Sequence, residues 1–326
     1  MSGVVAAIDC GTNSIRLLIA RAGADGTLVD LDRRMTIVRL GEGVDLTGRL
    51  SDAALVRTFA ACESYAEAMN AFAVDRVRFV ATSASRDASN RQEFVDGVRS
   101  RIGVEPEVVT GEVEAALSFA GATSGLSSDA VAPFLVIDIG GGSTEFVLGT
   151  DQLVAACSVD MGCVRLTERF LRSDPPSSDE IAAATAYVDD LIDRAAASVP
   201  FHEANTLVGL AGSVTTIAAI ALGLEEYDST AIHGARIPVD QVHAISQQLL
   251  TMSHAQRAAI GVMHPGRVDV IGGGALVLDR ILHRLASSEG HVSQSRLYGA
   301  QVNEVLVSEH DILDGIALSL LITPRY

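Results

Sequence analysis

A short motif occurs in both halves of this chain and limits its possible folds. Residues 7–14 are AIDCGTNS, and residues 136–143 are VIDIGGGS. Both copies have two apolar residues, an Asp, and then a Gly and a Ser at the same spacings, and each lies between two apolar runs. A Gly-rich turn between two apolar runs predicts a β-hairpin. Two related hairpins predict two related α/β domains that face each other across a cleft.

The pattern around the first copy alternates between strands and helices. It predicts strands at 4–9, 15–20, 28–40, 76–81 and 107–109. It also predicts a helix at 52–72 capped by Ser51, a helix to about 101 opened by Asn90 and Glu93 as a capping pair, and a helix at 112–122.

The order restarts at the second copy. Here the pattern predicts strands at 134–138, 145–148, 153–159 and 206–210, and helices at 162–171, up to about 198, and from 214 onward. The small residues of 121–128 predict a linker. We therefore expect an N-terminal α/β domain at 1–125 and a second at 126–305. A C-terminal helix at 306–326 can then pack back on the N-terminal domain.

The composition excludes several classes of protein. The sequence contains no lysine, so all 24 basic residues are arginines. P-loop NTPases, Schiff-base enzymes and protein kinases each need a lysine. A net charge of −17 and an aromatic content of 4% argue against nucleic acid and anionic membrane as partners.

The sequence also predicts a cytoplasmic location. The four cysteines form no CxxC pair and are interpreted as reduced thiols. The first residues lack the basic region of a signal peptide. The uncharged stretch 204–224 contains glycines and hydroxyl residues, which favour a buried strand, turn and helix over a membrane span.

The repeated turns have the residue types of phosphate-binding loops. Successive backbone N–H groups of a Gly-rich turn bind phosphate oxygens without lysine. The candidate residues are Gly11, Thr12, Asn13 and Ser14 in the first copy and Gly140, Gly141, Gly142 and Ser143 in the second. Asp9 or Asp138 can hold Mg²⁺ at the end of each strand. The alternative is an ordinary tight hairpin in which Gly serves only the turn.

Other segments favour the same chemistry, each with a structural alternative. ATSASR (81–86) places Arg86 before a helix as an anion contact or as a surface arginine. GLAGS (209–213) suits a phosphate or nucleotide, or close packing at a turn, and 272–274 suits close helix packing. In TGEVEA (110–115), Glu112 and Glu114 are acidic residues in the first turn of a predicted helix, where they stabilise its positive end. The alternative is that a carboxylate there activates water.

Together these motifs resemble the exopolyphosphatase and guanosine pentaphosphate phosphohydrolase family of the sugar kinase–actin–heat-shock chaperone superfamily. The similarity runs over nearly the whole chain and is closest to the short, actinobacterial-type exopolyphosphatases. It is carried by AIDCGTNSIRLL (7–18), ATSASRDASN (81–90), TGEVEA, VIDIGGGSTEF (136–146), DMGCVRLTERF (160–170), GLAGSVTTIAAI (209–220), HPGRVDVIGGGALVL (264–278) and SEHDILDGIALSL (308–320).

The resemblance implies two actin-like (ribonuclease H-like) domains with an interdomain active-site cleft. The family's catalytic Glu falls on Glu114, its phosphate-binding Arg on Arg86 and its metal-linked Asp on Asp138, so we expect these three residues to act in catalysis. We expect Glu145 and Asp9 near the metal, which is Mg²⁺ with Mn²⁺ as the alternative. The two Gly turns become phosphate loops, and the family allows a homodimer.

The hypothesis from the sequence is therefore metal-assisted release of terminal phosphate from inorganic polyphosphate. Longer family members carry extra C-terminal helical domains, and this chain is acidic, so we expect short chains to be preferred. The same residues suit removal of the 5′ terminal phosphate of guanosine pentaphosphate. An ATP-using kinase of the superfamily and a non-catalytic nucleotide sensor are the remaining alternatives.

Overall fold

The computed structural model of the protein describes residues 3–24, 27–287 and 303–322. The described part of the chain forms two compact units. One contains the described residues of Met1–Ser124 and Asp311–Tyr326, and the other is Gly125–His310. The last helix therefore belongs to the same unit as the N-terminal strands.

The first unit has five strands and six helices in its described residues. The strands are β1 (Val5–Cys10), β2 (Ser14–Ala22), β3 (Leu28–Ile37), β4 (Arg76–Ala81) and β5 (Glu107–Val108). The helices are α1 (Val44–Thr47), α2 (Asp52–Ala71), α3 (Ser83–Asp87), α4 (Arg91–Ile102) and α5 (Gly111–Ser124), with α13 (Ile312–Ile322) added from the C-terminus.

The sheet of the first unit has the strand order β3-β2-β1-β4-β5. The first three strands are antiparallel, and β4 and β5 continue the sheet in parallel. Every residue of β1 is buried, since helices cover both faces of the sheet. Alternate β1 residues, such as Ile8, pack with α2 and α4, and the intervening residues, such as Ala7, pack with α5 and α13.

Helix α13 packs against α5 through two glycines. A Cβ at Gly121 would lie 1.7 Å from the carbonyl oxygen of Asp311, and one at Gly315 would lie 2.0 Å from that of Leu117. Both distances are far below van der Waals contact. Only glycine allows the two helix backbones to approach this closely.

The second unit has six strands and seven α-helices in its described residues. The strands are β6 (Phe134–Ile139), β7 (Thr144–Gly149), β8 (Leu153–Val159), β9 (Thr206–Leu210), β10 (Arg236–Pro238) and β11 (Glu304–Val307). The helices are α6 (Cys163–Phe170), α7 (Ser178–Ser198), α8 (Ala211–Ala221), α9 (Ser229–Ile232), α10 (Val239–Thr251), α11 (His254–Ala258) and α12 (Ile271–Ser287).

The two sheets share one topology, which is the fold class that the repeat predicted. The order β10-β11-β9-β6-β7-β8, taken from β8 inward, repeats that of the first unit with one strand added at the far edge. Again an antiparallel β6-β7-β8 meander is continued by a parallel strand, β9. Two mixed sheets with helices make this an α/β protein of the actin-like type.

Several local predictions are confirmed. Ser51 caps α2 by accepting a hydrogen bond from the N–H of Ala54, 3.2 Å away. The stretch 204–224 is a buried strand followed by α8. The glycines of 272–274 lie inside α12.

In the part of the chain that the structure describes, no helix has the length and apolar character needed to cross a membrane.

Three predictions are corrected. The side chain of Asn90 does not cap α4; it accepts from the N–H of Leu50 at 2.9 Å and so fastens the loop before α2. The predicted linker begins too early, because α5 runs to Ser124. The third strand ends at Ile37, because the next residues turn toward the first Gly loop.

Candidate active site

The first Gly loop, Gly11–Ser14, is a tight turn between β1 and β2. The N–H of Gly11 donates to the carbonyl oxygen of Ser14 at 3.0 Å. The segment 38–41, which follows β3, holds the loop from one side. Its N–H groups donate to the carbonyl oxygens of Asn13 (from Val38 and Arg39) and Thr12 (from Gly41) at 2.8–3.1 Å. Arg39 reaches this position with a left-handed backbone, at φ 49°.

The second Gly loop, Gly140–Ser143, repeats this geometry between β6 and β7. The N–H of Gly140 donates to the carbonyl oxygen of Ser143, also at 3.0 Å. The segment after β8 holds the loop, since the N–H groups of residues 162–165 donate to the carbonyl oxygens of 140–142 at 2.9–3.2 Å. Gly162 lies so close that a Cβ would be 2.2 Å from the Gly141 carbonyl carbon.

These hydrogen bonds fix the direction in which the loop N–H groups point. In a trans peptide the N–H points opposite to the carbonyl of the same peptide plane. Because the carbonyls of 140–142 point at α6, the N–H groups of Gly141, Gly142 and Ser143 point away from it. The N–H groups of Asn13 and Ser14 point away from 38–41 for the same reason. Each loop therefore presents a row of N–H donors on one side, which suits a phosphate group.

Arg165 lies on the opposite side of the second loop. Its Nε donates to the carbonyl oxygen of Gly142 at 2.9 Å. That carbonyl faces α6 rather than the donor side. We interpret Arg165 as a support for the loop and not as a phosphate contact.

The structure brings Glu114 and Arg86 together in the first unit. Glu114 lies in the first turn of α5 and is buried. Arg86, at the end of α3, donates from Nη1 to the Glu114 carboxylate at 3.3 Å and to the carbonyl oxygen of Val109 at 3.0 Å. The helix-dipole interpretation of Glu114 is therefore incomplete, because the carboxylate also has a specific guanidinium partner.

Asp9 has an arginine partner as well. Nε and Nη2 of Arg16, directly opposite on β2, donate to Oδ2 of Asp9 at 3.1 and 2.6 Å. Nη1 of Arg16 donates to Asp311, which precedes α13. Burial raises the pKa of Asp9 above its ordinary value, and Arg16 offsets this only in part. Burial also acts to raise the pKa of Asp311, but Arg16 and Arg33 outweigh it and hold that pKa below its ordinary value.

Asp138 and Glu145 form a pair of buried carboxylates in the second unit. They stand directly opposite each other on β6 and β7, so both side chains lie on one face of the sheet. Glu145 accepts a hydrogen bond from the hydroxyl of Ser158 at 2.7 Å, on the next strand. Adjoining buried carboxylates repel each other, and a cation between them would relieve that repulsion.

These residues fit Mg²⁺ in part. Mg²⁺ is commonly held by one or two carboxylates, with water and substrate phosphates completing its shell. Asp138 and Glu145 fit that requirement. Asp9 fits less well, because its Oδ2 already accepts two guanidinium N–H groups. No group of three His, Cys, Asp or Glu side chains that could hold a metal lies within the described ranges.

The GLAGS turn has a feature that the sequence did not reveal. Ala211, where β9 passes into α8, has φ +68°, a conformation that L-residues rarely adopt. Arg267 covers the turn so closely that a Cβ at Gly212 would lie 2.6 Å from its Cζ. Nη1 of Arg267 donates to the hydroxyl of Thr216 at 3.0 Å.

Sequence reasoning missed Asp311. The motif SEHDILDGIALSL marked the segment, yet no spacing rule links it to Arg16, which is 295 positions away. The only signal was the two acidic residues Glu309 and Asp311 just before an apolar segment. That pattern ordinarily indicates helix capping alone.

Two mixed sheets of matching topology, each with a hairpin loop that presents backbone N–H donors, define an α/β protein of the actin-like type. The sequence pattern of the Ppx/GppA phosphatase family matches residues 18–299. The chain belongs to this family.

Individual relatives agree with this assignment. The chain is 49% identical to Exopolyphosphatase 2 of Mycobacterium tuberculosis over 97% of this chain and 98% of that protein. The crystal structure of an exopolyphosphatase-like protein has a TM-score of 0.91 at 44% identity, covering 98% of both chains. A Ppx/GppA family member from Aquifex aeolicus has a TM-score of 0.79 at 28% identity, covering 99% of this chain and 98% of its own.

Proposed function

We propose that the protein is an exopolyphosphatase that releases the terminal phosphate of inorganic polyphosphate. The observation that carries the proposal is the contact between Glu114 and Arg86, a buried carboxylate fixed by a guanidinium. Membership of the Ppx/GppA phosphatase family and the 49% identity to an exopolyphosphatase support it. The alternative substrate is guanosine pentaphosphate, with the same bond type broken.

The chemistry follows from the residue types. A carboxylate oxygen of Glu114 accepts a proton from water, and the water oxygen attacks the terminal phosphorus. The bridging P–O bond breaks, orthophosphate forms, and the shortened chain leaves as an oxyanion. Glu114 is suited to this role because one of its oxygens is held by Arg86, which fixes the side-chain orientation.

The loops and Arg86 stabilise charge. The three equatorial oxygens of the transferring phosphoryl group carry negative charge in the transition state. Donors that are already oriented do not have to reorganise during the reaction. In this proposal the N–H groups of Gly11–Ser14 and Gly140–Ser143 bind phosphates, and the Arg86 fork binds the group being transferred.

A divalent ion, Mg²⁺ or Mn²⁺, completes the proposal. Asp138 and Glu145 would hold it, and when bound it would neutralise phosphate charge. The chain itself has a net charge of −17 and no lysine, so it cannot attract a long polyanion through its overall charge. We therefore propose that short chains are preferred and that their charge is offset locally.

The test is phosphate release by the purified protein with Mg²⁺. Short polyphosphate, long polyphosphate and guanosine pentaphosphate are compared at matched concentrations of chain ends. The expected result is the highest kcat/KM on short polyphosphate. Higher kcat/KM on guanosine pentaphosphate would replace the proposed substrate with the alternative. ATP-dependent phosphorylation of an acceptor, or binding without turnover, would contradict hydrolysis altogether.

A further inference from the structure

Asp311 combines two tasks at the start of the C-terminal helix. Its Oδ1 accepts a hydrogen bond from the N–H of Leu313 at 2.9 Å, which caps α13. Its Oδ2 accepts from Nη1 of Arg16. The side chain is buried. A helix cap needs only a short polar side chain, so the cap alone does not explain why a buried carboxylate also faces Arg16.

All three nitrogens of the Arg16 guanidinium donate to carboxylates. Nε and Nη2 are on Asp9, and Nη1 is on Asp311. The other oxygen of Asp9, Oδ1, is buried and has no hydrogen-bond partner in the described part of the chain. A buried carboxylate oxygen without a donor is costly, which points to a group that it meets during function.

Arg16 also lies two residues after Ser14, the last residue of the first Gly loop. A guanidinium fork binds phosphate well, and the arginine side chain has several flexible torsions. Held by Asp9 alone, its Nη1 would be free to donate to a phosphate in the loop. The carboxylate of Asp311 removes that freedom.

We propose that Asp311 is a positioning residue for the hydrolysis described above. By holding Nη1, it keeps Arg16 on Asp9 and away from substrate phosphates. The Asp9 carboxylate then has one orientation, with Oδ1 left to accept a hydrogen bond from water that accompanies the substrate. The inference rests on the proposed function, and it links the last helix of the chain to the first loop.

The first test is Asp311→Asn. Asparagine has the same size and caps helices as well as aspartate, but it lacks the charge that holds Arg16. We expect kcat on short polyphosphate to fall about 10-fold or more, because small misplacements of reacting groups cost rate. KM should not rise, since the loop N–H donors are untouched and the released Nη1 can add a contact to a phosphate.

The matched control is Asp314→Asn. Asp314 lies in the first turn of α13, is buried, and pairs with Arg33 rather than Arg16. Its Oδ2 accepts a hydrogen bond from the N–H of Asp311 at 3.0 Å, and the amide oxygen of asparagine can still accept that bond. This variant should lose thermal stability, yet its kcat should stay within about 2-fold of wild type. An equal fall of kcat in both variants would overturn the inference, because it would show a general effect of helix stability.

A double-mutant cycle tests whether Asp311 acts through Arg16. In the Arg16→Gln background, Asp311→Asn should no longer change kcat. A further fall by the same factor would overturn the proposal. If Asp311→Asn does not fold, Arg16→Lys decides instead. Lysine keeps the charge but lacks the fork, so we expect the same loss of kcat; a wild-type kcat would overturn the proposal.

The hydrogen-exchange rate of the Arg16 Nε proton, measured by NMR, is a readout that does not depend on activity. Its resonance is assigned as the one that is missing from the spectrum of Arg16→Lys. We expect exchange at least about 10-fold faster in Asp311→Asn than in wild type, because the guanidinium is released. Unchanged exchange would overturn the inference. Absence of phosphate release by the wild type would overturn the proposed function only, and the exchange measurement would still decide the role of Asp311.

Discussion

Nη1 of Arg86 lies 3.3 Å from Oε2 of Glu114 and 3.0 Å from the carbonyl oxygen of Val109. One guanidinium thus joins the end of α3 to the residues on either side of the start of α5. The arrangement holds the carboxylate in one position before any substrate binds. It also makes the two residues dependent on each other, and the first two predictions follow from this.

Glu114→Gln should lower kcat by roughly 10²–10⁴-fold, because glutamine cannot take a proton from water. The amide oxygen can still accept from Arg86, so the melting temperature should change little. The measurement is phosphate release with thermal unfolding of the same sample. Glu112→Gln, exposed on the same helix turn, is the control and should keep wild-type turnover. Near-normal turnover of Glu114→Gln would show that another group is the base.

Arg86→Lys should lower kcat/KM by about 10²–10³-fold, since losing one oriented donor of this kind typically costs that much. Lysine keeps the charge but cannot contact Val109, Glu114 and a phosphate together. Arg91→Lys, at an exposed position at the start of α4, is the matched control. The measurement is kcat/KM of the two variants by steady-state kinetics. Equal values would show that Arg86 does not contact the substrate.

Removal of divalent metal should abolish activity. With excess chelator, phosphate release should fall to the uncatalysed background, and added Mg²⁺ should restore it. Asp138→Asn should require a higher Mg²⁺ concentration for half-maximal rate, because one carboxylate of the Asp138–Glu145 pair loses its charge. Full activity in excess chelator would exclude the metal part of the proposal.

Gly315→Ala should destabilise the first unit by about 1–3 kcal/mol or more, since the new Cβ overlaps the Leu117 carbonyl oxygen and the two helices must separate. Differential scanning calorimetry measures the change. Ala120 lies on α5, one of these two helices, and is exposed. Ala120→Ser therefore serves as the control and should unfold close to the wild-type temperature. A melting temperature for Gly315→Ala equal to wild type would show that α13 does not pack this tightly.

The cysteines should react slowly in the native protein. Burial raises the pKa of Cys62 to about 12 and raises the pKa values of Cys10 and Cys163 as well. At pH 8 only ~10⁻⁴ of Cys62 is thiolate, the reactive form. Cys157 is less buried and should be modified first by a thiol reagent. Its reaction rate should rise with pH, and the other three should react only on unfolding; immediate reaction of all four would contradict the buried environments.

Much of the fold could be predicted from the sequence, because its signals are local. The repeated AIDCGTNS and VIDIGGGS motifs gave both hairpins, and the Ser51 cap follows from the residues next to it. The Asn90 prediction failed although its pattern was a good one. The side chain of Asn90 instead accepts a hydrogen bond from the backbone N–H of Leu50, in a loop 40 positions earlier. Residue spacing carries no information about such a contact.

The candidate site divides in the same way. The sequence alone determined which chemical groups are present: two Gly turns, Arg86, Glu114, and the pair Asp138 and Glu145. Their roles, and the expected cleft between the two domains, stay predictions. The direction of the loop N–H groups depends on the folded chain, because segments 38–41 and 162–165 donate to the loop carbonyls. The contact between Asp311 and Arg16 also depends on it. Hairpins and caps form between near neighbours, whereas an ion pair across 295 positions exists only once the chain has folded.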